Sequence, residues 1–322
     1  MPIQSALAQV GVAKQSAKGT AISNPDYAIG ITDGQILTVD VQQELEERTS
    51  GNLASTGVNR TGVVPGFSFT SRAQAGTVGL LTFAALGSDS FATSTHTITA
   101  GTSLPYLTMF GKMGSTIYSV KDCKIDSLEF SWDGNNPLQV AVSGMGTSAN
   151  YAATFTPGTD ETFEVYMRPA GGTFSVDVDG ASSVTALSKI TSGSVSIARN
   201  LSELMVSGTI TPNDVWEGKL EVECSFDVIV DDWTAWRAIV TGTGTGTSEA
   251  ATPLYGTFSC QFTDGTNTFT LAGTRVAFTA DVPSVDPAGG AVTLSLAGLV
   301  VQPAAGGTPI TATLVGGKGS AY

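Results

Sequence analysis

Between residues 127 and 143 apolar and polar positions alternate. Leu128, Phe130 and Trp132 interleave with Ser127, Glu129 and Ser131. After the turn signal Asp133-Gly134-Asn135-Asn136-Pro137, Leu138, Val140 and Val142 interleave with Gln139, Ala141 and Ser143. A period of two sends alternate side chains to opposite sides of an extended strand, so this stretch predicts a hairpin with one apolar and one polar face. Residues 274–299, TRVAFTADVPSVDPAGGAVTLSLAGL, predict a second hairpin of the same kind. Earlier, Leu37, Val39 and Val41 alternate with Thr38, Asp40 and Gln42, and Phe67 and Phe69 mark one side of another strand. The apolar sides of these strands predict a sandwich core. Helical spacing is confined to two segments. Residues 78–87 put Leu80, Leu81, Ala84 and Ala85 on one face and end at Gly87; residues 231–242 begin with Asp231-Asp232 and end at Gly242.

These elements recur in one order. ITDGQILTVDV (31–41) is matched by ITSGSVSIARN (190–200), and VVPGFSF (63–69) by VWEGKLEV (215–222). The two helices correspond, SLPYLTMF (103–110) parallels TPLYGTFSC (252–260), and the two hairpins align. The offsets are roughly 150–160 positions, which predicts an internal duplication. The expected division is a first domain over 1–150, opening with an extended arm over 1–27, and a second over 151–322, with 151–189 as joining strands.

Composition agrees with a β-dominated chain. Of 322 residues 38 are Gly and only 13% are charged, so Thr, Ser, Gln and Gly must cover much of the surface. The net charge of −13 argues against binding nucleic acid by neutralising phosphates. Cys123, Cys224 and Cys260 form no CxxC pair, and an odd number fits reduced, buried thiols. The N-terminal stretch lacks the apolar centre of a signal peptide, and no apolar run approaches the ~18 residues of a membrane span. The chain is expected to be soluble where it is made.

Little in the sequence carries chemistry. His96 is the single histidine, in the Thr-rich alternating segment FATSTHTITA, and no GxSxG turn accompanies it. GTGTGT (242–247) follows a helix instead of opening one and lacks the lysine of a phosphate loop. FTDGTNTF (262–269) lacks the acidic ligand spacing of a calcium loop and fits a hairpin turn. Asp231-Asp232 beside Trp233 suits a helix start better than a glycosidase acid. We assign no catalytic, cofactor-binding or metal-binding residue.

The run of pieces AQVGVAKQSAKGTA, RTGVVPGFSF, VGLLTFAALGS, HTIT, SLPYLTMF and CKIDSLEFSW…NPLQVAVSGMG resembles the major tail tube proteins of long, non-contractile-tailed bacteriophages. The resemblance is best over about residues 5–146. It implies an all-β fold with minor α: two tandem β-sandwich or barrel domains, each with one flanking helix, whose long hairpins join a multi-chain β-barrel. It also implies stacked rings forming a hollow tube through which double-stranded DNA passes without specific binding. The duplication favours a ring of three chains with pseudo-sixfold symmetry over a hexamer. Polar strand faces then become candidate lumen linings: Asp40, Gln42, Ser127, Glu129, Glu221 and Glu223. Segments 1–27 and 49–62 are expected at ring-stacking contacts. Further implied partners are the tape-measure, tail terminator and distal tail proteins, in a virion tail assembled in the bacterial cytoplasm, with no membrane partner. A tandem immunoglobulin-like adhesin or virion decoration protein would share the Thr/Gly-rich strands and the acidity. A β-sandwich glycan hydrolase would need paired carboxylates in an aromatic groove, and the four Trp are scattered.

Overall fold

The computed structural model describes residues 8–46, 57–160, 165–180, 184–283 and 290–322. Its earlier strands are β1 (Ala8–Lys14), β2 (Tyr27–Leu45), β3 (Val58–Arg72), β4 (Gly87–Ala92), β5 (Thr95–Ala100), β6 (Leu107–Met113), β7 (Thr116–Asp133), β8 (Gln139–Met145) and β9 (Ser148–Asn150), with helix α1 (Ala75–Leu86) after β3. The short β10 (Thr159–Asp160) and β11 (Phe174–Asp177) lead to β12 (Ile190–Ala198) and to the small pair β13 (Ser202–Leu204) and β14 (Asp214–Trp216). Then follow β15 (Glu221–Ile229), α2 (Thr234–Thr241), β16 (Tyr255–Thr263), β17 (Thr268–Ala280), β18 (Thr293–Val300) and β19 (Ile310–Val315). The fold is all-β, with two short helices among the described residues.

Six strands close on themselves. β1 pairs with β2 and β6, β2 with β3, β3 with β8, β8 with β7, and β7 returns to β6. This corrects the expected arm. Val10, Val12 and Ala13 are buried, and β1 supplies the stave without which β2 and β6 would face each other with unpaired backbone groups. Of the expected loop 49–62, Val58 onward belongs to β3, and 47–56 lie outside the described residues.

The sheet continues past the barrel. The far part of β7 pairs with β12, β12 with β15, β15 with β18, and β18 with the end of β17. An unbroken sheet therefore runs β2–β3–β8–β7–β12–β15–β18–β17. One side of it is apolar: Phe67, Phe69, Leu128, Phe130, Trp132, Val195, Ile197, Val222, Phe226, Leu296 and Phe278 are all buried. Trp132 stands edge-on to Phe262 with ring centres 5.1 Å apart and lies 6.1 Å from Phe226, so residues from both ends of the chain share one core. Gly193, opposite Trp132 across the β7–β12 seam, leaves room for the indole; a Cβ there would lie 2.6 Å from its ring.

Two expectations about burial change. Leu37 and Val39 are only half-buried and Val41 is 39% exposed, because beyond the barrel β2 and β3 project together as a two-stranded arm with little beneath it. Helix α1 is covered on nearly all sides instead of one. The returning chain lays Leu314 and Tyr322 against Gly79, opposite the sheet. Gly87 ends α1 at φ 102° and Gly242 ends α2 at φ 80°, the left-handed conformation that suits glycine. Asp232 accepts the Thr234 amide at 2.8 Å, so the acidic start of α2 acts as a cap.

Candidate functional site

The other side of the long sheet is polar, and its register fixes which residues share it. One row crosses all eight strands: Asp33, Thr70, Ala141, Glu129, Ser196, Glu223, Leu299 and Ala277. The next row includes Gln35, Ser68, Ser143, Ser127, Ala198 and Glu221. Asp40 and Gln42 lie on the same face further out along the arm, opposite Val64 and Gly62, which share the parity of Ser68. All six residues singled out in the sequence thus stand on one side of one sheet. Glu129 and Glu223 flank Ser196 from its two sides, about 10 Å apart at two strand spacings. Glu129, Ser194, Ser196, Glu223 and Thr279 border a common trough, so the face is concave there.

Serine hydroxyls tie this face together laterally. Ser127 and Ser143 are 2.7 Å apart, Ser194 and Ser225 2.9 Å, and Ser192 and Ser295 both donate to Asp227, at 2.8 and 2.6 Å. Carboxylates outnumber cations: Asp33, Glu129, Asp133, Glu221, Glu223 and Asp227 stand against Arg72 and Arg275. Each arginine lies over a tyrosine ring, Arg72 over Tyr166 and Arg275 over Tyr255. Among the described residues, Glu129, Glu221 and Glu223 form no ion pair. Such a face repels polyanions and offers no concentrated donor set to hold one.

The sheet ends in two open edges. Beyond Ile31, β2 has β3 on one side only, and beyond Ala277 the flank of β17 away from β18 has no strand among the described residues. Both edges present backbone groups ready to pair with another strand.

Beside the β7–β12 seam lies a polar joint that sequence reasoning missed. Lys124, 5% exposed, donates to the Val215 carbonyl at 2.7 Å, pairs with Glu217 at 2.9 Å and lies 4.6 Å from the centre of the Tyr106 ring. The Leu104 amide also donates to Glu217, at 3.0 Å. Asp214 pairs with Lys18 at 2.8 Å and accepts the Tyr106 hydroxyl at 3.2 Å. Burial pushes the carboxyls of Asp214 and Glu217 upward, but hydrogen bonds from Lys18 and Lys124 and nearby amides outweigh it and hold both below their ordinary values. Burial and the Asp214 charge push the Tyr106 phenol up to about 12. The available signal was a lysine in the apolar run CKID, aligned with Arg275 in the second hairpin.

Groups that could do chemistry serve the fold. His96 is buried with Asp89 at 3.0 Å and the Lys318 carbonyl at 2.7 Å, a contact that fastens the C-terminal segment. The three cysteines are free and buried, and burial pushes their thiols upward, away from the reactive thiolate. No group of His, Cys, Asp and Glu among the described residues could hold a metal ion. Among the described residues no helix is long and apolar enough to cross a membrane.

A sheet with two open edges and a polar, acidic face is an architecture that can pair its strands with those of a neighbour. The chain belongs to the phage tail tube protein family, whose profile matches residues 5–314. No curated protein matches it. It is accordingly a structural component of the virion tail, not an enzyme, and its partners are in general copies of itself and other tail proteins. The adhesin and hydrolase alternatives fall with that membership.

Proposed function

We propose that three copies of this chain close into a ring, and that rings stack into the hollow tube of a non-contractile tail through which the genome leaves. The observation that carries the proposal is the long sheet with an open edge at each end and a carboxylate-rich concave face between them. Pairing the free flank of β17 with β2 of the next copy removes both edges. With eight strands from each chain, a closed wall would have about 24 strands. At ~4.8 Å spacing and ~40° tilt its backbone diameter is roughly 45–50 Å, ample for a DNA duplex.

The three-chain count rests on a duplicated architecture, with domains over 1–150 and 151–322. In its support, β2–β3–β8–β7 and β12–β15–β18–β17 pair in corresponding order, and a helix ended by a left-handed glycine follows the second strand of each set. In this reading Asp40, Gln42, Ser127, Glu129, Glu221 and Glu223 line the lumen, where their hydroxyls and negative charge keep the duplex from adhering. The end of the β2–β3 arm, where Leu45 and Val58 are exposed, reaches the next ring. Tape-measure, terminator and distal tail proteins bound the tube, which is assembled in the host cytoplasm.

Electron microscopy of the purified protein over a range of concentrations tests the proposal. Hollow tubes with threefold chain symmetry and pseudo-sixfold features are expected. Rings of six whole chains would overturn the trimer, and an absence of rings at every concentration would overturn unaided self-assembly.

A further inference from the structure

The polar joint inside the chain has a partial counterpart in the second half. In the first half, Lys124 lies over the Tyr106 ring, and the β12–β15 connection brings Asp214 and Glu217 onto that pair. The second half carries the same cation and ring. The Arg275 guanidinium lies 3.9 Å from the centre of the Tyr255 ring, on strands β17 and β16. The register anchors the correspondence. Phe67 pairs with Gly144 and Gly144 with Ile125, the residue after Lys124; Val222 pairs with Val300 and Val300 with Val276, the residue after Arg275.

Arg275 has no carboxylate partner among the described residues. Its guanidinium donates to the Gln302 carbonyl at 3.0 Å, and Tyr255 is 37% exposed. A cation–π pair left open to solvent in so acidic a chain is a ready receptor for a carboxylate. The segment equivalent to the β12–β15 connection is the β2–β3 arm. Asp214 stands eight residues before Val222, and Asn59 stands eight before Phe67. Directly across from Asn59, on β2, is Glu44, which is exposed.

We propose that Arg275 and Tyr255 of one copy receive Glu44 from the β2–β3 arm of the adjacent copy in the ring, a carboxylate delivered to a cation–ring pair as the β12–β15 connection delivers Asp214 and Glu217 to Lys124 and Tyr106. This rests on the ring proposed above. Its geometry places the arm's shaft on the lateral neighbour, leaving the end of the arm for the next ring. A carboxylate is required at this site, whereas elsewhere on the sheet face a carboxylate only repels.

The test uses the full-length chain. Arg275→Glu alone and Glu44→Arg alone should each raise the concentration needed for ring or tube formation about tenfold or more, and the double charge swap should restore it. In mixtures of Glu44→Cys and Arg275→Cys chains, oxidation should give a band of twice the chain mass, which neither variant gives alone; the native thiols are buried and add little background. Arg275→Gln, with an unchanged melting temperature, separates a fold defect from an assembly defect. Tubes that form normally from Arg275→Glu, or assembled mixtures that never cross-link, would overturn the joint while leaving the tube standing. Wild-type chain that never forms rings would overturn the self-assembling ring proposed above and this joint together.

Discussion

Lys124 illustrates how one buried charge can hold two segments far apart in sequence. Its ammonium satisfies Val215 and Glu217, 91 and 93 positions later, and removal of either charged partner strands the other. Glu217→Gln should therefore destabilise the fold by about 3 kcal/mol, read from denaturant midpoints at neutral pH. The pH dependence has a definite sign. Asp214 and Glu217 are held below their ordinary values of 3.8 and 4.5, so the folded chain binds fewer protons than the unfolded one. Their contribution is complete above about pH 5 and is lost as pH falls through the two lowered values. The gap between wild type and Glu217→Gln should shrink over that acidic window; a gap that stayed constant would contradict the assignment. None of this was legible in the sequence, because Asp214 and Glu217 lie in a connection without periodicity and meet Lys124 only through tertiary packing. Alternation, by contrast, placed Glu129 and Glu223 on the polar side of their strands without ambiguity.

The hairpins were the most readable elements. The turn after Asp133 and the alternation on both sides of it left only one register that buries Leu128, Phe130 and Trp132 together. Strand β1 was harder, since AQVGVAK is short and of small residues, and its burial depends on β6, a strand distant in sequence, flanking it on the side away from β2. Helix α1 looked one-sided because local spacing carries no information about the Leu314–Tyr322 segment that covers its far side. Glycine also has a role between elements. At Gly193 the seam between β7 and β12 admits the Trp132 ring, and Gly193→Ala should cost roughly 2 kcal/mol of stability in thermal unfolding, through overpacking. Because that seam joins the two halves, the same substitution should also loosen their pairing, seen as faster amide exchange along Ser194–Ala198.

For the molecule as a whole, the acidic face matters through its sum and not through any one residue. Unpaired like charges on neighbouring strands cost some stability at low salt, and added salt screens that cost. A chain carrying both Glu129→Lys and Glu223→Lys should still fold and assemble, yet release DNA more slowly from the resulting particles; ejection at the wild-type rate would count against a role for this face in passage. The pairing of β19 with β5 adds a consequence in time. Ile310–Val315 joins a strand made more than two hundred residues earlier, and β10 likewise returns to β2. During synthesis the edge of β5 stays unoccupied until Ile310–Val315 has left the ribosome, and such long-range closures are slow. The β5 edge is thus closed only when this segment is present, so a chain terminated before Ile310 should be digested by proteases more readily than the full-length chain.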